Sequence, residues 1–146
     1  MIDHIGNLIP HQPPMRLVNE IISTKPDNAW VQTQVGDDFL FLRADATVAP
    51  EAFCEIIAQS FAVCESKRRE EAGLSTEGGG YLVSVRNFEV FALAHQGDVL
   101  KTRVEQQDDF LGTRIVKGEV FRQNEKLAQA TVYIFMWEGK IPPTSL

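Results

Sequence analysis

One long helical segment, residues 50–72, stands alone in a chain that otherwise reads as β, and it is apolar almost all the way round. Pro50 suits the first helical turn, where its missing N–H would be unpaired in any case. Glu51 adds favourable charge at the same end, and Gly73 supplies a stop. Phe53, Ile56, Ile57, Phe61 and Cys64 recur at the i, i+3, i+4 spacing of an apolar stripe. The opposite side, through Glu55, Ala58, Gln59 and Ala62, is small and only partly polar, and charge becomes dense only from Glu65 onward. A helix apolar on every side must be surrounded by protein.

The flanking segments say what surrounds it. Met15–Ile22 and Ala29–Val35 predict two strands joined by turn chemistry at Lys25-Pro26-Asp27-Asn28. Asp3–Leu8 predicts a helical turn ended by Pro10. After Gly78-Gly79-Gly80, read as a flexible linker, the segments Tyr81–Phe91, Asp98–Gln106, Gly112–Arg122 and Leu127–Trp137 predict four further strands, with Asp108-Asp109 in a connector. Hairpin-sized connectors make the sheet antiparallel. One helix cannot cover both faces of a six-strand sheet, so the sheet must curl around it. The expected fold class is α+β: a single domain over residues 1–146, with about six antiparallel strands wrapped around one central helix. An edge left open on such a sheet invites a second copy, so a homodimer joined edge to edge is expected.

Composition narrows the partners. The chain is 44% hydrophobic and 23% charged, enough apolar content for a core without disulfide or metal staples. Its net charge is −6, from 20 acidic and 14 basic residues, which argues against nucleic acid as a partner. The longest apolar run, Val132–Trp137, is far short of the roughly 20 residues of a membrane span. The opening residues carry Asp3 and no basic stretch, so no secretory signal is expected. Cys54 and Cys64 lie about 15 Å apart along one helix, too far to bridge, which suits a reducing, cytoplasmic compartment. Neither has His or Cys partners at ligand spacing, so no metal site is expected. Glycine loops for phosphate, the dinucleotide fingerprint and the Gly-x-Ser-x-Gly elbow are all missing, and no cofactor is implied.

The polar residues on the enclosed helix are then the ones that could carry chemistry. Glu55 and Gln59 are four apart and share a face. A carboxylate among Cys54, Ile56 and Ile57 needs a partner or a task. The face either borders solvent or a dimer seam, or holds a general acid/base with Gln59 orienting Glu55 or a substrate carbonyl. Backbone N–H groups at the Pro50 end could polarise a carbonyl oxygen. His4 and His95 read as solvated loop residues. His11, stiffened by Pro10, Pro13 and Pro14, is either a structural brace or a site residue.

Leu8-Ile9-Pro10-His11-Gln12-Pro13-Pro14-Met15-Arg16-Leu17-Val18-Asn19 resembles the opening of the β-hydroxyacyl-acyl carrier protein dehydratases. Glu55-Ile56-Ile57-Ala58-Gln59 resembles their central-helix Glu-Ala-x-Ala-Gln, and Asn87-Phe88 with Gly97-Asp98-Val99-Leu100 is similar to a later segment. The resemblance implies the hot-dog fold, a dimer, and a catalytic acid/base role for Glu55. That family's catalytic His loop has no counterpart here, where the chain reads Asp38-Phe39-Leu40-Phe41-Leu42-Arg43-Ala44-Asp45. A divergent hot-dog branch, associated in part with aryl polyene pathways, is similar in keeping Pro-His-x-x-Pro-Met and Glu-x-x-Ala-Gln without that loop. The resemblance leaves His11 as the candidate base. It implies a 3-hydroxyacyl thioester substrate carried on acyl carrier protein or coenzyme A. Ala58 and Ala62 leave room for a thin acyl arm, and Arg16, Arg43 and Lys67-Arg68-Arg69 are candidates for docking an acidic carrier. Two alternatives stay open: a thioesterase using Glu55 on water, and a non-catalytic acyl-binding or partner subunit.

Overall fold

The computed structural model describes residues 3–5, 8–9, 15–25, 27–76 and 78–138. In chain order they form β1 (Asp3–His4), β2 (Glu20–Lys25), β3 (Asn28–Gln34), α1 (Glu51–Glu71), β4 (Gly78–Val90), β5 (Val99–Phe110), β6 (Thr113–Arg122) and β7 (Glu125–Glu138). The strands make one antiparallel sheet in the order β1-β2-β3-β5-β6-β7-β4. Each of β2 to β7 packs on α1, so the sheet curls around the helix as the apolar helix demanded. This is the hot-dog fold.

The helix ends as its residues dictate. Pro50 holds the N-cap at φ −58°, and Gly73 takes φ +75° beyond the C-terminus. The Gly73 N–H donates to Glu70 O at 3.0 Å and the Leu74 N–H to Arg69 O at 2.9 Å, the paired bonds that close a helix at a left-handed glycine. Ala52, Phe53, Ile56, Ile57, Phe61 and Cys64 are buried in the core, as are Ala58, Gln59 and Ala62 on the other side. At Gly118 on β6 the sheet backbone comes close to the helix side chain Ile57. A Cβ added to Gly118 would press into the Ile57 side chain, 2.7 Å from Cγ1 and 2.9 Å from Cδ1.

Four local expectations are corrected. Asp3–His4 is not a helical turn: it pairs with Ile21 and Glu20 as β1, the seventh strand. The strand expected over Met15–Ile22 begins only at Glu20, because Met15 O and Leu17 N are bonded to the Gln59 side chain instead of to a neighbouring strand. Gly78-Gly79-Gly80 is not a linker but the start of β4, paired with Glu138, Trp137 and Met136. At Gly80 a Cβ would come within 2.5 Å of Met136 Sδ, so a side chain there would require Met136 to shift. Asp108-Asp109 lies inside β5, past a bulge at Gln106/Asp108, and the turn is Leu111-Gly112. Both turn residues have positive φ, +53° and +87°, which matches the right-handed twist of a two-residue hairpin.

Candidate functional site

Glu55 lies on the second turn of α1 and is half-buried. Gln59, one turn further on, is 1% exposed and fully committed. Its Oε1 accepts the Leu17 N–H at 2.8 Å, and its Nε2 donates to Met15 O at 3.0 Å and to Glu55 Oε1 at 3.1 Å. An amide has two N–H donors. Both are used, so Gln59 orients Glu55 and cannot also donate to a substrate carbonyl without giving up a bond. The same amide straps residues 15–17 across the helix. His11, four residues before Met15, lies outside the described residues.

The helix start offers less than expected. The Ala52 N–H donates to Ala49 O and the Phe53 N–H to Pro50 O, both at 3.0 Å. Pro50 has no N–H. Among the described residues, the Glu51 N–H is the donor of this turn that makes no such loop or cap bond.

The segment 36–49 carries no histidine and is folded against the core through its apolar residues. Phe39, Phe41 and Leu42 pack on the core. Asp45 accepts the Thr47 hydroxyl at 2.6 Å and the Thr47 N–H at 3.0 Å, and these bonds hold its carboxyl below the usual range. Asp45 therefore builds the turn. The loop is tied to residues 94–96 through Val48 N–H to Ala94 O and Gln96 N–H to Ala46 O, each 2.8 Å. His95 is exposed there, with Nδ1 3.5 Å from Arg122 Nη1, and Arg122 is anchored to Asp98 and Glu125 at 2.8 Å each.

The basic run is spent internally. Lys67 pairs with Glu70 at 3.0 Å, Arg68 with Glu65 at 2.7 Å and with Thr24 O at 2.7 Å, and Arg69 Nε donates to Ser75 O. Arg114 on β6 reaches Glu65 at 3.1 Å. Burial opposes the Glu65 charge, but the two guanidiniums outweigh it and hold the carboxyl below its ordinary value. Burial also pushes Cys54 up to about 11 and Cys64 up to about 12, so both thiols stay protonated. Among the described residues no group of His, Cys, Asp and Glu could hold a metal ion, and no helix is long and apolar enough to cross a membrane.

A cavity of about 310 Å³ opens beyond Glu55 on the same helix face, with Ala62, Ser66 and Arg69 among its lining residues. Glu55 itself is not one of them. Ala62 lines this cavity, but Ala58, expected from the sequence to open the same space beside Glu55, does not. Ser66 and the contribution of Arg114 were not expected, since neither stands out from its neighbours in the sequence.

A sheet curled around one helix, with a carboxylate steadied by an amide on that helix, defines a hot-dog-fold protein. More narrowly, the chain belongs to the ApeP-like family of dehydratases, whose ApeP dehydratase pattern matches residues 3–141. Among solved structures it is similar to the dehydratase heterocomplex ApeI:P from Xenorhabdus doucetiae, at 21% identity and a TM-score of 0.84, over 92% of this chain and 91% of that one. It also shares its fold with a Streptococcus mutans protein bound to acetyl CoA (18% identity, TM-score 0.61, 90% of this chain and 99% of that one). A hypothetical thioesterase with coenzyme A from Streptococcus pneumoniae is similar at 14% identity and a TM-score of 0.60, over 83% of this chain and 87% of that one. No curated protein matches the chain.

Proposed function

We propose that this protein dehydrates a 3-hydroxyacyl thioester, delivered on the pantetheine arm of an acyl carrier protein or of coenzyme A. The carrying observation is the Gln59 amide, which aims the Glu55 carboxyl and fastens residues 15–17 beside it in a chain of the ApeP-like family. In the reaction His11 takes the proton from the carbon next to the thioester carbonyl. Glu55 gives a proton to the departing hydroxyl, which leaves as water, and the electron pair becomes the new double bond. Charge on the thioester oxygen is met by the Glu51 N–H beside Pro50. Sequence connectivity supports His11: only Gln12, Pro13 and Pro14 separate it from Met15, whose carbonyl is fixed to Gln59.

The whole chain, 1–146, is proposed as one hot-dog domain working in the cytoplasm, where its two buried cysteines stay reduced. A homodimer is proposed through β4, the long open edge of the sheet, which exposes Val83, Phe88 and Val90. The similar structure from Xenorhabdus is a heterocomplex, so a related chain on the same edge is the competing outcome, read by sedimentation of the isolated protein at micromolar concentration.

Incubation with a 3-hydroxyacyl thioester tests the reaction: an enoyl product with the thiol retained is expected, whereas thiol release would mean hydrolysis. Glu55→Gln keeps the shape and removes the proton, so turnover should be lost with thermal unfolding nearly unchanged. His11→Ala should behave likewise if it is the base, and should lower the unfolding temperature without abolishing turnover if it is a brace. Full activity in Glu55→Gln would end the proposal.

A further inference from the structure

We infer that Asn19 is a positioning residue for Glu55, acting through the strap of residues 15–17 and the Gln59 amide. This rests on the reading that Glu55 handles a proton of the dehydration. Asn19 stands immediately before β2 and is exposed, so burial gives no reason for its bonding pattern. Its backbone N–H donates to Gln32 O at 2.9 Å, and its side-chain Oδ1 accepts the Gln34 N–H at 2.6 Å. The second bond is the unusual one. The Gln34 N–H is the donor that a main-chain carbonyl would take if the chain before Asn19 continued along β3. By supplying a side-chain oxygen instead, Asn19 satisfies that donor and releases the preceding residues from the sheet. Leu17 and Val18 are accordingly both buried, where a strand with one solvated face would turn one of them outward.

Residues released at this corner are taken up by the helix. Gln59 accepts the Leu17 N–H at 2.8 Å, donates to Met15 O at 3.0 Å and, from the same Nε2, donates to Glu55 Oε1 at 3.1 Å. A continuous series of bonds therefore runs from β3 through Asn19, the strap and Gln59 to the carboxyl. Asn19 fixes the sheet end of that series. Without its oxygen, the Gln34 N–H must turn to water or to a main-chain carbonyl drawn from the strap, and either choice leaves the corner unfixed. The Gln59 amide then loses the two backbone partners that hold its plane, and the Glu55 carboxyl loses its aim. A displacement of about 1 Å at a reacting group is enough to cost roughly 100-fold in rate.

The test combines turnover of a 3-hydroxyacyl thioester with hydrogen exchange at the Leu17 amide, each variant first confirmed folded by thermal unfolding. Asn19→Ala should lower kcat by at least about tenfold with KM changed less than about twofold, since only the aim of the carboxyl is lost. Its Leu17 amide should exchange at least about tenfold faster than in wild type. Asn19→Asp keeps an oxygen acceptor for the Gln34 N–H, so it should hold kcat within about threefold of wild type and leave Leu17 protected. Asn19→Ala added to Gln59→Ala should reduce kcat no further than Gln59→Ala alone, a non-additivity that a general loosening of the fold does not produce. A folded Asn19→Ala with kcat within about twofold of wild type, unchanged Leu17 exchange, no rescue by Asn19→Asp, or fully additive losses in the double variant overturns the inference. A wild type without turnover refutes the dehydration reading instead, and Leu17 exchange then decides by itself whether Asn19 holds the strap.

Discussion

Replacing Gln59 with alanine probes the joint between helix, N-terminal segment and carboxylate. The variant strands the Leu17 N–H, at a residue only 2% exposed, which costs about 1–3 kcal/mol for a buried donor without an acceptor. Met15 is exposed, so its carbonyl can turn to water at little cost. Adding the emptied side-chain volume gives about 2–4 kcal/mol, or roughly 5–15 °C of Tm for a chain of this size. Urea unfolding measures the total, and hydrogen exchange at the Leu17 amide isolates the strap. Gln59→Glu separates the two duties: it retains an acceptor for Leu17 but turns both donors into acceptors, setting a carboxylate against Glu55. Leu17 should then stay protected while turnover falls. A loss below about 0.5 kcal/mol in Gln59→Ala, with Leu17 exchange unchanged, would refute the reasoning, since an unstrained joint has no need of that amide.

Gly118→Ala should destabilise by about 1–3 kcal/mol through its clash with Ile57, and Ile57→Ala in the same molecule should recover part of that loss, a coupling that a double-mutant cycle in urea would detect. Phe61→Ala should cost about 3–5 kcal/mol, because the ring is fully enclosed, and a change under about 1 kcal/mol would misplace it in the core. The Glu65 carboxyl is held below its ordinary value of 4.5, so its contribution is complete above that pH and is lost as pH falls through the lower folded value. Unfolding measured against pH should therefore show a shallower acid limb in Glu65→Gln than in wild type.

Local periodicity carried much of this protein. The all-round apolar helix, its proline start and glycine stop, the hairpin at residues 25–28 and the enclosing sheet all follow from patterns a few residues long. So does the shared face of Glu55 and Gln59. What the tertiary structure decided lies between segments far apart in the chain. Nothing local says that Met15 O and Leu17 N, more than 40 residues away, are held by Gln59 and so withheld from a strand. Nor does it say that β4 closes on β7, which turns three glycines from an apparent linker into paired strand. Ser66 comes to line a cavity with Leu8, Gly78 and Met136 only once these distant segments are brought together. Backbone periodicity is written by nearest neighbours, whereas register and cavities are set by which side chains meet when the sheet closes around the helix.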